Sequence, residues 1–262
     1  IVHTIRNYIM AESLEQAWEL NQKGRNNVII GGNLWLKMGN RNILNAIDLS
    51  TLGLDRIEED ESGFRIGCMA TLRDIEMHEG LNKEFQNLFK EAVRHIVGVQ
   101  FRNCATVGGS IFPKLGFSDV LTAFLACDTQ VILYKKGEVS LREFIYMPLD
   151  NDILTHIYVK KDGRKTAYES FRMTETDFPT LTCAMAMVDG RFETVLGARP
   201  KHAEVVIDEE LADSLSKEDV ASYAKRVIDK LQYGSNIRGS KQYRKQLSKV
   251  LISRCISRLT EE

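Results

Sequence analysis

The spacing of hydrophobic and polar positions predicts a short unit of alternating strand and helix at the start of the chain. Residues 12–21 repeat apolar side chains at helical spacing, and Ser13 with Gln16 has the spacing of a capping box. Short apolar runs at 28–30 and 43–48 predict two buried strands on either side of a glycine pair. The first segment is therefore expected to be a small β-α-β unit.

A second block begins near Gly63 and again contains both strand-like and helix-like hydrophobic patterns. Residues 64–67 and 130–134 predict strands. Apolar side chains between 85 and 96 recur every three or four residues, which predicts the best amphipathic helix of the chain. A further apolar helix is predicted over 119–126.

The last third of the chain predicts a sheet followed by two helices. Strand-like runs cover 166–171, 181–188 and 191–196. The first helix is predicted to begin at Ser216, which has Asp219 at capping-box spacing, and a second amphipathic helix follows it. A sheet with paired helices is a compact α+β unit.

Charge and hydropathy narrow the class of protein. The 262 residues carry 35 Lys and Arg against 36 Asp and Glu, a net charge of -1, which gives no electrostatic reason to expect nucleic acid or an anionic membrane as partner. No apolar run approaches the roughly 20 residues of a membrane-spanning helix, and the first ten residues do not have the pattern of a signal peptide. We therefore predict a cytoplasmic protein without a membrane span.

The five cysteines do not have the spacing of a metal site. They lie at 68, 104, 127, 183 and 255 with no Cys-x-x-Cys pair, and no His-x-x-x-His pair is present. We expect reduced thiols, and neither a metal nor an iron–sulfur cluster within this chain.

Two glycine pairs are the features that suggest ligand chemistry. Gly31 and Gly32 follow the run at 28–30, and Gly108 and Gly109 follow Thr106-Val107. Without Cβ atoms, such loops let the backbone approach a ligand, and several N–H groups from each loop can point at phosphate oxygens. A single Gly-Gly is more often an ordinary tight turn, and neither pair matches a dinucleotide or phosphate-loop fingerprint. Spacing alone therefore leaves both interpretations open.

A resemblance to a known family favours the ligand interpretation. The segment 101–111, Phe-Arg-Asn-Cys-Ala-Thr-Val-Gly-Gly-Ser-Ile, resembles the Ile-Arg-Asn-x-Ala-Thr-x-Gly-Gly-Asn-Ile segment of the FAD subunits of molybdenum hydroxylases, the xanthine dehydrogenase and carbon monoxide dehydrogenase type. Residues 28–34 resemble the first glycine loop of that family, 64–72 resemble its Ile-Gly-Ala-x-Thr-Thr stretch, and 238–244 resemble its Ser-x-x-Tyr-Arg element.

The resemblance implies a fold as well as a cofactor. It implies an α+β protein of the flavoprotein fold related to p-cresol methylhydroxylase, in which two α/β subdomains hold FAD and a C-terminal α+β domain follows. On this basis we predict subdomains over 1–55 and 56–163 and a C-terminal domain over 164–262.

By matched position, the resemblance also implies the FAD contacts. The expected contacts are the two glycine loops and one aspartate further along: Ile29, Ile30, Gly31, Gly32, Asn33, Leu34, Thr106, Gly108, Gly109, Ser110, Ile111 and Asp119.

The chain departs from the family pattern at four positions. Asn33 replaces the usual Thr, Leu34 an acidic residue and Ser110 an Asn, which leaves a grip through the backbone in place. Glu169 follows Tyr168 where related enzymes often have Lys, so we do not expect a flavin contact from that strand.

The function implied by the resemblance is electron transfer. Electrons from a molybdopterin-binding large subunit pass through the [2Fe–2S] clusters of a small subunit to FAD, and then to NAD or another acceptor. No catalytic acid or base is expected in this chain. Two alternatives stay open at this point: a stand-alone FAD-dependent oxidoreductase, and a flavin-free assembly or binding protein of the same fold.

Overall fold

The computed structural model describes residues 4–208 and 216–260. Strands and helices are mixed along the whole of this part, which confirms the predicted α+β class. In chain order they are β1 (Thr4–Met10), α1 (Leu14–Gln22), β2 (Asn27–Ile30), α2 (Leu34–Lys37), β3 (Asn42–Asp48), β4 (Ile57–Glu59), β5 (Gly63–Gly67), α3 (Leu72–Met77), α4 (Glu79–Glu84), α5 (Leu88–Val93), α6 (Val99–Arg102), α7 (Val107–Ile111), α8 (Asp119–Leu125), β6 (Thr129–Leu133), β7 (Gly137–Ser140), α9 (Leu141–Phe144), β8 (Leu154–Lys160), β9 (Lys165–Phe171), β10 (Leu181–Val188), β11 (Arg191–Gly197), β12 (Glu204–Ile207), α10 (Lys217–Asp229) and α11 (Lys241–Thr260).

These elements form two compact units, each built from separate stretches of the chain. Unit 1 comprises residues 4–74, 99–113 and 129–159. Unit 2 comprises residues 75–98, 114–128, 160–208 and 216–260. The three-part division at 55 and 163 stays a prediction.

Unit 1 contains a parallel three-stranded sheet in the order β1-β3-β2, with the predicted helix beside it. The Ser13 hydroxyl accepts the Gln16 N–H at 3.1 Å, and the Gln16 side chain accepts the Glu12 N–H at 2.7 Å. The first bond confirms Ser13 as the helix cap, because it satisfies an amide that the first helical turn leaves unpaired, and the second bond reaches the residue before the cap.

A row of three asparagines crosses this parallel sheet. In the strand register Asn7 lies opposite Asn45, and Asn45 lies opposite Asn27. The Asn7 amide donates to Asn45 at 3.0 Å, the Asn45 amide donates to Asn27 at 2.8 Å, and the Asn27 amide donates to the Leu20 carbonyl at 2.7 Å. The row fixes the register, because a shift of one residue would send each amide to the opposite face of the sheet.

Unit 1 also contains a second sheet, in the order β4-β5-β8-β6-β7. Phe64, Ile66, Val131 and Ile157 on its strands have no exposed surface. The sheet joins strands from both sides of the glycine loop at 106–111, so that loop begins and ends within one packed unit.

Unit 2 contains an antiparallel sheet in the order β12-β11-β10-β9, covered by α10 and α11. Asp189 and Gly190 connect β10 to β11, and both have positive φ (49° and 75°), as a two-residue type I′ hairpin turn requires. Leu181, Met185 and Ile252 belong to the buried cluster between the sheet and the helices.

The best predicted helix is wrong in extent. Residues 85–96 do not form one helix, because Gln86 and Asn87 have left-handed backbone conformations (φ of 45° and 62°) that separate α4 from α5. The apolar repeat is nevertheless used, since Phe85, Leu88 and Phe89 are buried.

A fully buried arginine connects the loops of unit 2. Arg244 has no exposed surface, although it lies on α11. Its Nε donates to the carbonyls of Thr180 (2.9 Å) and Ala198 (3.1 Å). Its terminal nitrogens donate to the carbonyls of Gly234 and Gly239 and to the side chain of Asn236. One side chain thus joins acceptors from three separate loops, and among them the Thr180 and Ala198 bonds are buried.

We expect Asn45→Ala to lower the free energy of unfolding of unit 1 by about 1–2 kcal/mol, because the Asn27 side-chain oxygen then loses its donor. Both tryptophans, Trp18 and Trp35, belong to unit 1, so tryptophan fluorescence in a urea titration measures this change. Asn7→Ala, at the exposed end of the row, serves as the matched control and should cost less. Equal unfolding midpoints for wild type and Asn45→Ala would contradict the role of the row.

We expect Arg244→Met to destabilise unit 2 by about 3 kcal/mol or more, because two buried carbonyls and the part-buried carbonyl of Gly234 lose their donor together. Native-state hydrogen exchange of the β10 amides measures the loss. Arg254→Met on the same helix is the control, since the Arg254 side chain is 63% exposed and should change stability by less than about 0.5 kcal/mol. Similar exchange rates in the two variants would show that the Arg244 hydrogen bonds contribute little.

Candidate cofactor site

The first glycine loop connects β2 to α2 and leaves its amides unused. Among the described residues, the backbone N–H groups of Gly32, Asn33 and Leu34 have no hydrogen-bond acceptor. Asn33 has a left-handed backbone (φ 57°) and does not cap α2 with its side chain. Three consecutive free donors are what a phosphate group requires of a backbone loop.

The second loop differs from the sequence expectation that both loops have several free N–H groups. The N–H groups of Val107 and Gly108 donate to the carbonyls of Ala70 and Cys68, both at 2.8 Å. The Gly109 N–H donates to the Thr106 hydroxyl at 3.2 Å. The first amides of α7 are therefore already paired within unit 1.

A side chain is the donor that the second loop can still offer. Thr106 is 6% exposed, and its hydroxyl oxygen accepts the Gly109 N–H. The hydroxyl proton of Thr106 has no acceptor in the described part of the chain. The Ser110 hydroxyl, in contrast, donates to the Thr106 carbonyl at 2.9 Å.

The two loops lie against each other, and this packing explains both glycines of the first loop, while packing against Cys68 explains Gly108. A Cβ atom at Gly31 would lie 2.4 Å from the Thr106 hydroxyl oxygen, and one at Gly32 would lie 1.8 Å from the Cys104 carbonyl oxygen. A Cβ atom at Gly108 would lie 2.7 Å from the Cys68 carbonyl oxygen. A side chain at Gly32 or Gly108 would push backbone apart, and one at Gly31 would displace the Thr106 side chain. The structure thus brings the two predicted loops together within unit 1.

The remaining predicted residues of unit 1 have different surroundings. Ile30 and Ile111 are buried (5% and 0% exposed), so their side chains belong to the core. Trp35, just after the first loop, packs edge to face on Phe101, just before the second, with ring centroids 5.3 Å apart. The sequence gives no sign of this aromatic contact except that each of the two residues lies next to a glycine loop.

The side-chain oxygen of Asn33 is the one buried polar side-chain atom in the described residues without a hydrogen-bond partner. An unpaired buried acceptor costs about 1–3 kcal/mol, which is characteristic of a site completed by a ligand. With the free amides and the side-chain-free glycines, it makes the loops a good fit for the pyrophosphate and hydroxyl groups of a dinucleotide.

Asp119 belongs to unit 2, where it has protein partners. Its Oδ1 accepts from the Tyr168 hydroxyl at 2.5 Å and from the Arg172 guanidinium at 2.6 Å. Burial raises the pKa of the Asp119 carboxyl, against the opposing effect of Arg172 and Tyr168. Neither partner was singled out by the sequence, because the pairing joins α8 to a distant strand. The contact of Asp119 with FAD stays a prediction.

Two further observations concern other kinds of site. In the described part of the chain, no group of three or more His, Cys, Asp or Glu side chains could hold a metal ion. Within the same residues, no helix has the length and apolar character needed to cross a bilayer.

Comparison with known proteins identifies the family. Residues 3–159, more than half of the chain, match the family described as the FAD binding domain in molybdopterin dehydrogenase. The uncharacterized protein YgfM of Escherichia coli K12 is 26% identical over 195 residues, or 71% of either chain. The glyceraldehyde dehydrogenase medium chain of Sulfolobus acidocaldarius is 26% identical over 267 residues, or 93% of this chain and 94% of the relative.

A solved structure extends the similarity of fold to almost the whole chain. Carbon monoxide dehydrogenase from Hydrogenophaga pseudoflava superposes with a TM-score of 0.87 at 23% identity, over 99% of this chain and 98% of that one. That carbon monoxide dehydrogenase structure is of a form of the enzyme that lacks the Mo-pyranopterin moiety of the molybdenum cofactor. The family resemblance inferred from the glycine loops is therefore confirmed, and the chain belongs to the family of FAD-binding domains of molybdopterin dehydrogenases, whose cofactor is FAD.

Proposed function

We propose that the chain is the FAD-binding electron-transfer subunit of a molybdenum hydroxylase complex. In this role it passes electrons from the [2Fe–2S] clusters of a small subunit, through FAD, to NAD or another acceptor. The observation that carries the proposal is the contact of the two glycine loops in a chain of this FAD-binding family. We retain a cytoplasmic location as a prediction.

The names of similar proteins support the proposed partners. One relative is the medium chain of a dehydrogenase, and one similar fold belongs to an enzyme with a molybdenum cofactor. We infer that this chain likewise assembles with a molybdopterin-binding large subunit and a [2Fe–2S] small subunit.

We propose that the backbone and one hydroxyl hold the cofactor. The free N–H groups of Gly32, Asn33 and Leu34 would bind pyrophosphate oxygens, and the Thr106 hydroxyl would donate from the second loop. The full set of proposed contacts remains Ile29, Ile30, Gly31, Gly32, Asn33, Leu34, Thr106, Gly108, Gly109, Ser110, Ile111 and Asp119.

The chemistry asked of the protein is modest. FAD, when bound, supplies the redox chemistry, and the protein supplies binding, orientation and exclusion of water. Electron transfer requires no proton transfer from a side chain of this chain. We assign no catalytic acid or base.

We expect Gly109→Leu to weaken FAD binding by about tenfold or more while unit 1 stays folded. Gly109 is exposed, and a Cβ atom there would approach only the Thr106 hydroxyl oxygen, at 3.0 Å. A larger side chain would therefore project toward the proposed pyrophosphate position without separating the loops. Quenching of flavin fluorescence on titration of FAD measures the affinity.

Gly24→Leu is the matched control, because a Cβ atom at Gly24 would meet nothing within 4 Å. It should bind FAD as the wild type does. Gly108→Leu is unsuitable as the sole test, since its clash with the Cys68 backbone would disturb the fold itself. Wild-type affinity in Gly109→Leu would remove the second loop from the proposed site.

We expect the chain, purified with an affinity tag from its native host, to copurify with two partners: a large subunit that contains molybdenum and a small subunit that contains iron. Metal analysis and the visible spectrum of the eluted complex measure this, since [2Fe–2S] clusters add absorbance beyond that of flavin. A purified flavoprotein with neither metal would instead favour a stand-alone FAD-dependent oxidoreductase.

A further inference from the structure

Unit 2 contains a polar cleft that lies outside the glycine loops. Its volume is about 210 Å³, several times the roughly 30 Å³ that a water occupies in the liquid. It is formed by the end of α5 and the two residues after it, by β9, and by the last turn of α11. The lining residues are Glu91, Arg94, His95, Tyr168, Glu169, Ser170 and Arg258.

The cleft runs along the open edge of a sheet. β9 is an edge strand, since it pairs only with β10 among the described strands. The Thr166 N–H donates to the Gln86 side chain and the Tyr168 carbonyl accepts from Arg258. Because backbone groups of alternate residues point to the same side of a strand, the N–H of Ser170 points the same way, toward the cleft.

The acidic side chains of the cleft are already paired with its arginines. Arg94 donates through Nη1 to both oxygens of Glu91 at 2.9 Å, and Arg258 Nη2 lies 2.6 Å from Glu169. These pairs orient the two guanidinium groups and offset the negative charge of the carboxylates, which would otherwise repel an anion. Arg94 still has Nε and Nη2 without an acceptor in the described part of the chain.

The remaining groups of the cleft are mostly donors. The Ser170 hydroxyl oxygen accepts from Arg172 at 2.5 Å, which leaves its proton for a ligand. Burial and the charges of Arg94 and Arg172 lower the pKa of His95, against Glu175 and Glu91. The lowered pKa favours the neutral imidazole, which has one N–H donor and one acceptor nitrogen.

We infer that this cleft binds an oxyanion of the phosphate class between Arg94, Arg258 and Ser170. The inference rests on the count of hydrogen-bond groups: the cleft offers donors from two guanidinium groups, an imidazole, a hydroxyl and a backbone amide, and its two carboxylates are already paired with Arg94 and Arg258. It does not depend on FAD, because every group involved belongs to unit 2 and none is among the proposed FAD contacts.

The test is calorimetric titration of the FAD-saturated protein with inorganic phosphate and, separately, with ribose 5-phosphate, at constant ionic strength. Saturation with FAD removes the glycine loops as a binding place for phosphate. We expect Arg94→Gln and Arg258→Gln each to weaken phosphate binding by about tenfold or more. Binding of both ligands would identify the phosphate group of a larger molecule as an acceptable source, and binding of inorganic phosphate alone would identify the free ion.

Arg254→Gln is the matched control, because Arg254 lies one turn before Arg258, is 63% exposed and does not line the cleft. It should bind phosphate within about twofold of the wild type. Arg94→Gln keeps the test valid if Arg258→Gln misfolds, since the Arg94 side chain is 49% exposed. Absence of phosphate binding in the wild type, or equal binding in Arg94→Gln, would overturn the inference. If the protein fails to retain FAD, the same comparison of Arg94→Gln and Arg254→Gln is made without it.

Discussion

The site of this protein depends on the close approach of two backbones. The carbonyl of Cys104 occupies the space where any other residue at position 32 would place its Cβ atom, 1.8 Å away. The Thr106 hydroxyl takes the corresponding space beside Gly31. The loops can approach this closely because the first loop has no side chains at Gly31 and Gly32. Both loops belong to unit 1.

This contact changes the meaning of the double-glycine signature. The usual explanation for such loops is access of a phosphate to the backbone. In this chain the backbone of Cys104 excludes a side chain at Gly32 and that of Cys68 excludes one at Gly108, whereas Gly31 and Gly109 meet only the Thr106 side chain. The N–H groups follow the same division, since those of the first loop are free and those of the second are paired. The first loop therefore supplies donors, and the second supplies the surface that holds the first loop in place.

Local chemistry was predictable from the sequence, whereas pairing between distant segments was not. The capping box at Ser13 and the strands around Asp189-Gly190 depend on neighbours in the chain, and they appear where the pattern placed them. The helix predicted over 85–96 is too long. The left-handed backbone at Asn87 ends one helix and starts another, and the apolar residues on both sides stay buried, so the hydrophobic period does not reveal the break. Arg244 was read only as part of a family motif, since its acceptors come from loops up to 64 residues away.

The candidate sites also depend on contacts between distant segments, which the sequence does not reveal. A family motif can locate the glycine loops, but it cannot tell which of their amides already donate hydrogen bonds within the protein. That depends on distant acceptors, here the carbonyls of Ala70 and Cys68. The cleft at Arg94 and Arg258 has no sequence motif at all, since its donors come from two helices and a strand edge. What marks both places is hydrogen-bond capacity left over after the fold has satisfied its own groups. Because buried polar groups are almost always paired, the buried and unpaired Asn33 oxygen is a physical reason to expect a ligand at the glycine loops. At the half-exposed Arg94 and Arg258 the reason is the convergence of several donors on one cleft.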